Sequence, residues 1–285
     1  MTQPSRLRTL LVLGRVSNLP TVWSNCLAGW LLGHGGDWTH FALLVAGATL
    51  LYVGGMYLND AFDAAFDAQH RRERPIPSGA IKVATVWRMG ITMLVAGVAL
   101  LVPLGLSTGV LAVLLCCCIV LYDAVHKLVT ISPLLMAMCR FLLYLVAASA
   151  AREGVTGLTV WSALVLSSYI VGLSYLARNE STGVVIQRWP QFLLALPIPL
   201  ALLVNDERYR QPAMLLALVF ALWTARSLRH VWMEPRSVSR AVSGLLAGIV
   251  WVDLLAVADM PREIAGVFVV LFLLALGFQR VVPAT

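Results

Sequence analysis

Charge is what this sequence has least of. Only 12% of its 285 residues are Asp, Glu, Lys or Arg, while 60% are hydrophobic. A soluble domain carries about 25% charged residues, so the composition excludes an ordinary soluble enzyme and points to a polytopic membrane protein. Long polar intervals are equally scarce. The longest is 59–85, followed by 178–189 and 226–240, which leaves no room for a soluble domain, a low-complexity segment or an interdomain linker. Residues 1–285 therefore read as a single transmembrane domain. The period-2 alternation of a membrane barrel is missing. Helices remain, because only they and closed barrels satisfy every backbone polar group in lipid. No cleavable leader is expected, since "LRTLLVLGRV" is short and Arg15 interrupts it. A disulfide framework is excluded as well. The five cysteines, Cys26, Cys116, Cys117, Cys118 and Cys139, all lie in apolar runs. Three of them are consecutive and cannot share one metal on a helix, so they read as packing residues.

What is present is a series of ten apolar runs, at 19–34, 39–58, 86–105, 108–122, 133–150, 159–177, 190–204, 211–225, 241–257 and 264–279. A spanning helix needs about 20 residues, with a lower limit of about 17. The runs at 108–122, 190–204 and 211–225 fall short and must borrow flanking residues or be buried by neighbours. If Met1 lies on the cytoplasmic side and the runs alternate, sixteen of the 21 Lys and Arg fall inside and four outside, with Arg140 within a run. That asymmetry follows the positive-inside rule. The net charge of +7 is thus topological, and nucleic acid is not expected as a partner. The three long polar intervals all fall on the same predicted cytoplasmic face.

The first of these intervals carries the chemistry. It reads "NDAFDAAFDAQHRRERPIPSG" from Asn59 to Gly79. On a helix Asp60, Asp63 and Asp67 are spaced i, i+3, i+7 and share a face, with Asn59 beside them. Three like charges on one face repel, and carboxylates at a membrane boundary are costly and usually functional. A hard cation reverses that cost. Magnesium takes oxygen ligands and is usually held by one or two carboxylates together with substrate phosphates. The bases Arg71, Arg72 and Arg74 follow at once. Positive-inside anchoring explains their side of the membrane, whereas phosphate binding also explains their place beside the acids, because a guanidinium fork matches phosphate oxygens. Pro75, Pro77, Ser78 and Gly79 then make a rigid reversing turn.

These residues resemble the first aspartate-rich motif of the UbiA superfamily of intramembrane prenyltransferases, Asn-Asp-x-x-Asp-x-x-x-Asp followed by a basic pair and an Arg-Pro-x-x-Ser-Gly turn. Asn59, Asp60, Asp63 and Asp67 fill every place in it. The entry segment "GRVSNLP" adds Arg15 and Asn18, where family members often carry basic and polar residues. The resemblance implies an all-α, UbiA-like bundle of nine or ten transmembrane helices around a central cavity. It also implies magnesium-dependent transfer of a prenyl group from a prenyl diphosphate to a small aromatic or lipid-type acceptor within the membrane. Its second motif, usually Asp-x-x-x-Asp, is altered here. "LSYLARNESTG" offers Arg178, Asn179 and Glu180, with Glu180 the single carboxylate. The family's Tyr-x-x-x-Lys feature is stretched by one residue in "YDAVHK", where Lys127 remains a candidate phosphate contact and His126 reads as an interfacial polar residue.

The intact first motif with an Arg-Asn-Glu second one resembles the EboC-type branch, associated with bacterial clusters for metabolite export. By this resemblance the magnesium set is Asn59, Asp60, Asp63, Asp67 and Glu180, with the three aspartates catalytic. Arg71, Arg72, Lys127, Arg140 and Arg178 would neutralise the donor diphosphate. Arg140 is an intramembrane arginine and so a functional candidate by default; Asp253 raises the same question and receives no role. The implied location is the bacterial cytoplasmic membrane, among membrane lipid, with the site facing the cytoplasm. The altered second motif leaves one rival open, a non-catalytic prenyl-lipid binding or export-associated protein on the same scaffold.

Overall fold

The structure is a computed structural model and describes residues 5–182, 189–204 and 210–283. Among these residues every regular element is a helix. Eight helices are long and apolar enough to cross a membrane. In chain order the elements are α1 (Arg6–Leu13), α2 (Leu19–Leu32), α3 (Trp38–Phe62), α4 (Ala64–His70), α5 (Val83–Leu101), α6 (Leu106–Val125), α7 (Ser132–Ser149) and α8 (Gly157–Thr182). They continue with α9 (Trp189–Ala195), α10 (Pro197–Val204), α11 (Arg210–Trp232), α12 (Val238–Ala256) and α13 (Arg262–Gln279).

The bundle therefore contains the expected spans with two deviations. The first apolar run gives α2, only 14 residues long, yet every one of its residues except Trp23 is buried. It packs on α3, α7, α12 and α13, so neighbouring helices rather than length hold it inside. The run at 190–204 is divided into α9 and α10 at Leu196, just before Pro197 and Pro199. Proline removes an N–H donor and clashes with the preceding turn, which explains why this run is not one continuous span. The other two short runs borrowed flanking residues, giving α6 and α11 lengths of 20 and 23 residues. Among the eight spans α12 is the most enclosed and α13 the most lipid-facing.

Two close helix contacts position the rest. Helices α3 and α5 meet through glycines a heptad apart: a Cβ on Gly54 would lie 3.0 Å from the Gly90 carbonyl oxygen, and one on Gly97 would lie 3.0 Å from that of Gly47. Small residues let membrane helices approach closely where lipid offers no hydrophobic drive. The contact sets the height of the C-terminal end of α3, where the acids lie. Helix α2 approaches α7 in the same way, for a Cβ on Gly29 would meet the Tyr144 carbonyl at 2.7 Å and the Ala147 Cβ at 2.8 Å.

Candidate active site

Helix α3 ends at Phe62, but its hydrogen-bond ladder carries on through the turn. Asp63 N–H donates to Asn59 O at 3.0 Å, and Asp67 N–H donates to Asp63 O at 2.9 Å. The interruption at Asp63 is thus a local bend, and the i, i+3, i+7 acid face survives it. All four polar residues of the motif are buried: Asn59 5%, Asp60 6%, Asp63 7% and Asp67 2% exposed. Carboxylates this deep need partners, and three segments far apart in sequence supply them.

The first partner is Arg74. The turn after α4 reverses the chain, with Ser78 N–H on Arg74 O at 3.0 Å and Gly79 at φ +77°, a backbone region that favours glycine. Folded back in this way, Arg74 Nη1 reaches Asp60 Oδ1 at 3.1 Å and Asp67 Oδ2 at 3.3 Å. The second partner is Arg15, whose Nη2 donates to Asn59 Oδ1 at 3.1 Å and Asp60 Oδ1 at 3.4 Å. Arg15 holds a left-handed backbone, φ 41° and ψ 47°, and its carbonyl accepts a bond from Tyr52 Oη at 3.4 Å. A non-glycine residue in this region costs about 1–3 kcal/mol and tends to occur at functional sites. The third is the segment after α6. Lys127 Nζ sits 2.7 Å from Asp63 Oδ1 and lies over the Phe66 ring, and His126 Nε2 is 3.5 Å from Asp63 Oδ2. Burial pushes the Asp63 carboxyl upward, but His126 and Lys127 outweigh it and hold the group below the usual carboxylate range. Asp123, 2% exposed, completes the cluster by accepting from Asn59 Nδ2 at 3.1 Å.

The cluster suits a hard cation. Two buried carboxylate oxygens, Asp67 Oδ1 and Asp123 Oδ2, have no hydrogen-bond partner, and an unpaired buried oxygen is costly unless something else meets it. Among the described residues no three acidic, imidazole or thiol side chains converge into a closed cage. Magnesium needs none, because substrate phosphates and water commonly complete its shell.

The structure sorts the expected site residues. Asn59, Asp60, Asp63, Asp67 and Lys127 come together. Arg72 is exposed and turns its Nε to the Ala68 carbonyl at 3.3 Å, and Arg71 is only half-buried. Arg178 donates from Nη1 to the carbonyls of Val129 at 3.0 Å and Thr130 at 2.9 Å, and to Ser132 Oγ at 3.3 Å. It thereby braces the segment that presents Lys127. Arg140 lies in a separate buried network with α2. The side chains of Asn179 and Glu180 lie outside the described residues. Of the other contributors, Arg74 reads in the sequence only as one of three clustered bases and His126 as an interfacial polar residue, while Arg15 and Asp123 stand in quoted motifs without an assigned role. For two of them a signal was available, since Asp123 and Lys127 are four apart in "YDAVHK" and so share a helical face with His126.

Together these features define an intramembrane site built from a buried acid row and convergent guanidinium and ammonium groups. The UbiA prenyltransferase family profile matches residues 18–281, and the chain belongs to that family. Curated relatives are named digeranylgeranylglyceryl phosphate synthase. The one from Metallosphaera sedula is 26% identical over 201 residues, covering 70% of this chain and 61% of its own length. The one from Ignicoccus hospitalis is 33% identical over 115 residues, covering 40% and 37%. The match thus spans less than two thirds of either relative. Among solved structures, a UbiA homologue from Aeropyrum pernix K1 superposes with a TM-score of 0.67 at 15% identity, over 88% of this chain and 99% of that one. A UbiA homologue from Archaeoglobus fulgidus bound to GPP and Mg2+ gives 0.64 at 12% identity, over 87% and 98%. At such identities the likeness speaks for the fold alone.

Proposed function

We propose that the protein transfers a prenyl group from a prenyl diphosphate to an acceptor inside the cytoplasmic membrane, with the acid row on the cytoplasmic side. The observation that carries this reading is the meeting of three buried aspartates with Arg15, Arg74 and Lys127, two carboxylate oxygens of the cluster being left unpartnered. Family membership supports the reaction class, and the names of the relatives support a lipid-type acceptor.

Asn59, Asp60, Asp63 and Asp67 would hold magnesium, with Glu180 as a further candidate ligand, and the metal when bound supplies Lewis-acid neutralisation of the leaving pyrophosphate. The chain's own residues do the rest. Arg74 and Lys127 already lie against the acids and turn to the phosphate oxygens when a diphosphate enters. Arg15, which shares Asp60 Oδ1 with Arg74, adds a third positive charge. Breaking the allylic carbon–oxygen bond builds negative charge on pyrophosphate, and donors held in place before the reaction lower that barrier. Arg178 keeps the Lys127 segment at its height, and Arg71 and Arg72 offer outer charge that draws the anion in.

A second reading is favoured by one feature, the Arg178-Asn179-Glu180 sequence where a second aspartate motif is expected: a binder of prenyl diphosphates without turnover. Magnesium-dependent binding of farnesyl diphosphate, followed by assay of pyrophosphate release with a lipid and metabolite extract of the native cell, separates the two. Binding with extract-dependent release supports the transferase. Tight binding with no release across donors and extracts supports the binder, and no binding rejects both.

A further inference from the structure

A second polar cluster lies deeper in the bundle. Asp253 on α12 is fully buried, as are Thr21, Ser24 and Asn25 on α2 and Tyr144 on α7. Its carboxylate is saturated: Oδ1 accepts from Tyr144 Oη at 2.8 Å and Asn25 Nδ2 at 2.9 Å, and Oδ2 accepts from the same amide at 2.7 Å and from Ser24 Oγ. Asn25 turns its other face to Arg140, whose Nη1 donates to Asn25 Oδ1 at 2.6 Å. Thr21 completes the clamp, its carbonyl 3.2 Å from Arg140 Nη1 and its Oγ1 3.1 Å from Nη2.

These bonds satisfy the Arg140 guanidinium only in part. Of five N–H groups, three are spent on α2 and none makes a direct carboxylate contact. The Nε–H and the remaining Nη2–H have no hydrogen-bond partner among the described residues. These two lie side by side on one edge, the fork that grips carboxylate or phosphate with two parallel bonds. Arg140 is also the one member of the cluster on α2, α7 and α12 that keeps accessible surface, at 9%. The face of Tyr52 stands 5.9 Å from its Cζ, and the hydroxyl of that tyrosine points to the backbone of Arg15 in the acid cluster. Tyr52 lies eight residues before Asp60 on α3, roughly 12 Å along the helix axis at 1.5 Å per residue, so the guanidinium beside its ring sits apart from the acid row, on the inner side of it. A cation inside the bundle is costly; Asn25, itself held by Asp253, fixes the guanidinium and leaves the two N–H groups of that edge without a partner among the described residues.

We propose that the open edge of Arg140 receives an oxyanion, a carboxylate or phosphate group, carried by the acceptor. The inference rests on the transferase reading, in which the donor diphosphate stays at the acid row. The acceptor then lies with its anionic group on Arg140 and its nucleophile toward the acid row, where the allylic carbon is released. Asn25 and Asp253 act as positioning residues that set the angle of the fork.

The test uses the full chain in lipid nanodiscs, with the donor site filled by magnesium and the non-transferable geranyl thiolodiphosphate. Binding is measured for three probes of equal chain length: dodecanol, dodecanoate and dodecyl phosphate. One of the two anions binds about tenfold or more tighter than dodecanol, and which one wins tells carboxylate from phosphate acceptors. Arg140→Gln removes the preference; Arg140→Lys, which keeps the charge and loses the fork, removes most of it. Affinity for the thiolodiphosphate, measured separately, stays unchanged in both variants. The proposal is overturned if neither anion is preferred, if the preference survives both substitutions, or if donor affinity falls in parallel. Failure of the wild type to bind the thiolodiphosphate is a different result, and it rejects the transferase reading itself.

Discussion

Lys127 Nζ stands 2.7 Å from Asp63 Oδ1, joining the end of α3 to the segment after α6. The pair sets where positive charge waits beside the acid row. Lys127→Ala leaves Asp63 without its ammonium partner and removes the proposed phosphate contact. Prenyl transfer falls by roughly 10²-fold, the loss seen when one charge-stabilising donor is deleted, with the larger change in kcat. Steady-state pyrophosphate release checks it. An unchanged rate would remove Lys127 from the site.

The same pair gives a pH dependence of stability. The Asp63 carboxyl is held below its ordinary value by His126 and Lys127. A group with a depressed folded-state pKa contributes stability that is present above the unfolded value, about 3.9 for Asp, and is lost as pH falls through the folded value. Asp63→Asn therefore flattens the acid side of the stability curve below about pH 4. Thermal unfolding in detergent between neutral pH and the acid limit measures the difference, and parallel curves for the two proteins would contradict it.

Arg74 and Arg72 separate by the direction in which the turn sends them. Arg74 bridges Asp60 and Asp67, whereas Arg72 is exposed and bonded to its own helix end. Arg74→Ala raises the KM for prenyl diphosphate by roughly tenfold or more, the scale of a lost charge-assisted hydrogen bond. Arg72→Ala changes it by less than about threefold, as expected for an exposed charge. The opposite ranking would mean that the turn adopts another geometry around substrate.

Arg178 bonds the segment that follows Lys127, and its proposed role is to act through that lysine. Its bonds to Val129, Thr130 and Ser132 brace the segment from one side, so Arg178→Gln weakens donor binding by several-fold. In a Lys127→Ala background the same substitution has little further effect, because residues acting through one group are not additive. Additive losses in the double-mutant cycle would place Arg178 on the donor itself.

The glycine contact of α3 and α5 is a packing test. Gly54→Ala sets a Cβ 3.0 Å from the Gly90 carbonyl and 3.1 Å from the Leu94 nitrogen. Both are backbone atoms that cannot rotate away, so the helices must separate, at a cost of about 1–3 kcal/mol. A lowered thermal midpoint with reduced activity is expected, since the acid row rides on α3. A midpoint equal to the wild type would show that the contact is looser than the structure indicates.

Much of this was legible in the sequence. Nine of the ten apolar runs became single helices, and the acid row kept its face through the bend at Asp63, since both follow from helix period and hydropathy. The division of the run at 190–204 could have been anticipated from Pro197 and Pro199. The choice of Arg74 over Arg71 and Arg72 could not, for it depends on how far the Pro75–Gly79 turn rotates the chain. Asp253 was visible as an isolated acid in an apolar run, but its partners lie on α2 and α7, more than 100 residues away. Local pattern carries no information about such pairing.

If the buried aspartates drive transfer of a prenyl group, pyrophosphate release from prenyl diphosphate by the purified protein with magnesium and native extract separates wild type from Asp63→Asn. Release by the wild type depends on the extract and falls by about 10²-fold or more in the variant, which still folds. Full activity in Asp63→Asn would contradict that role.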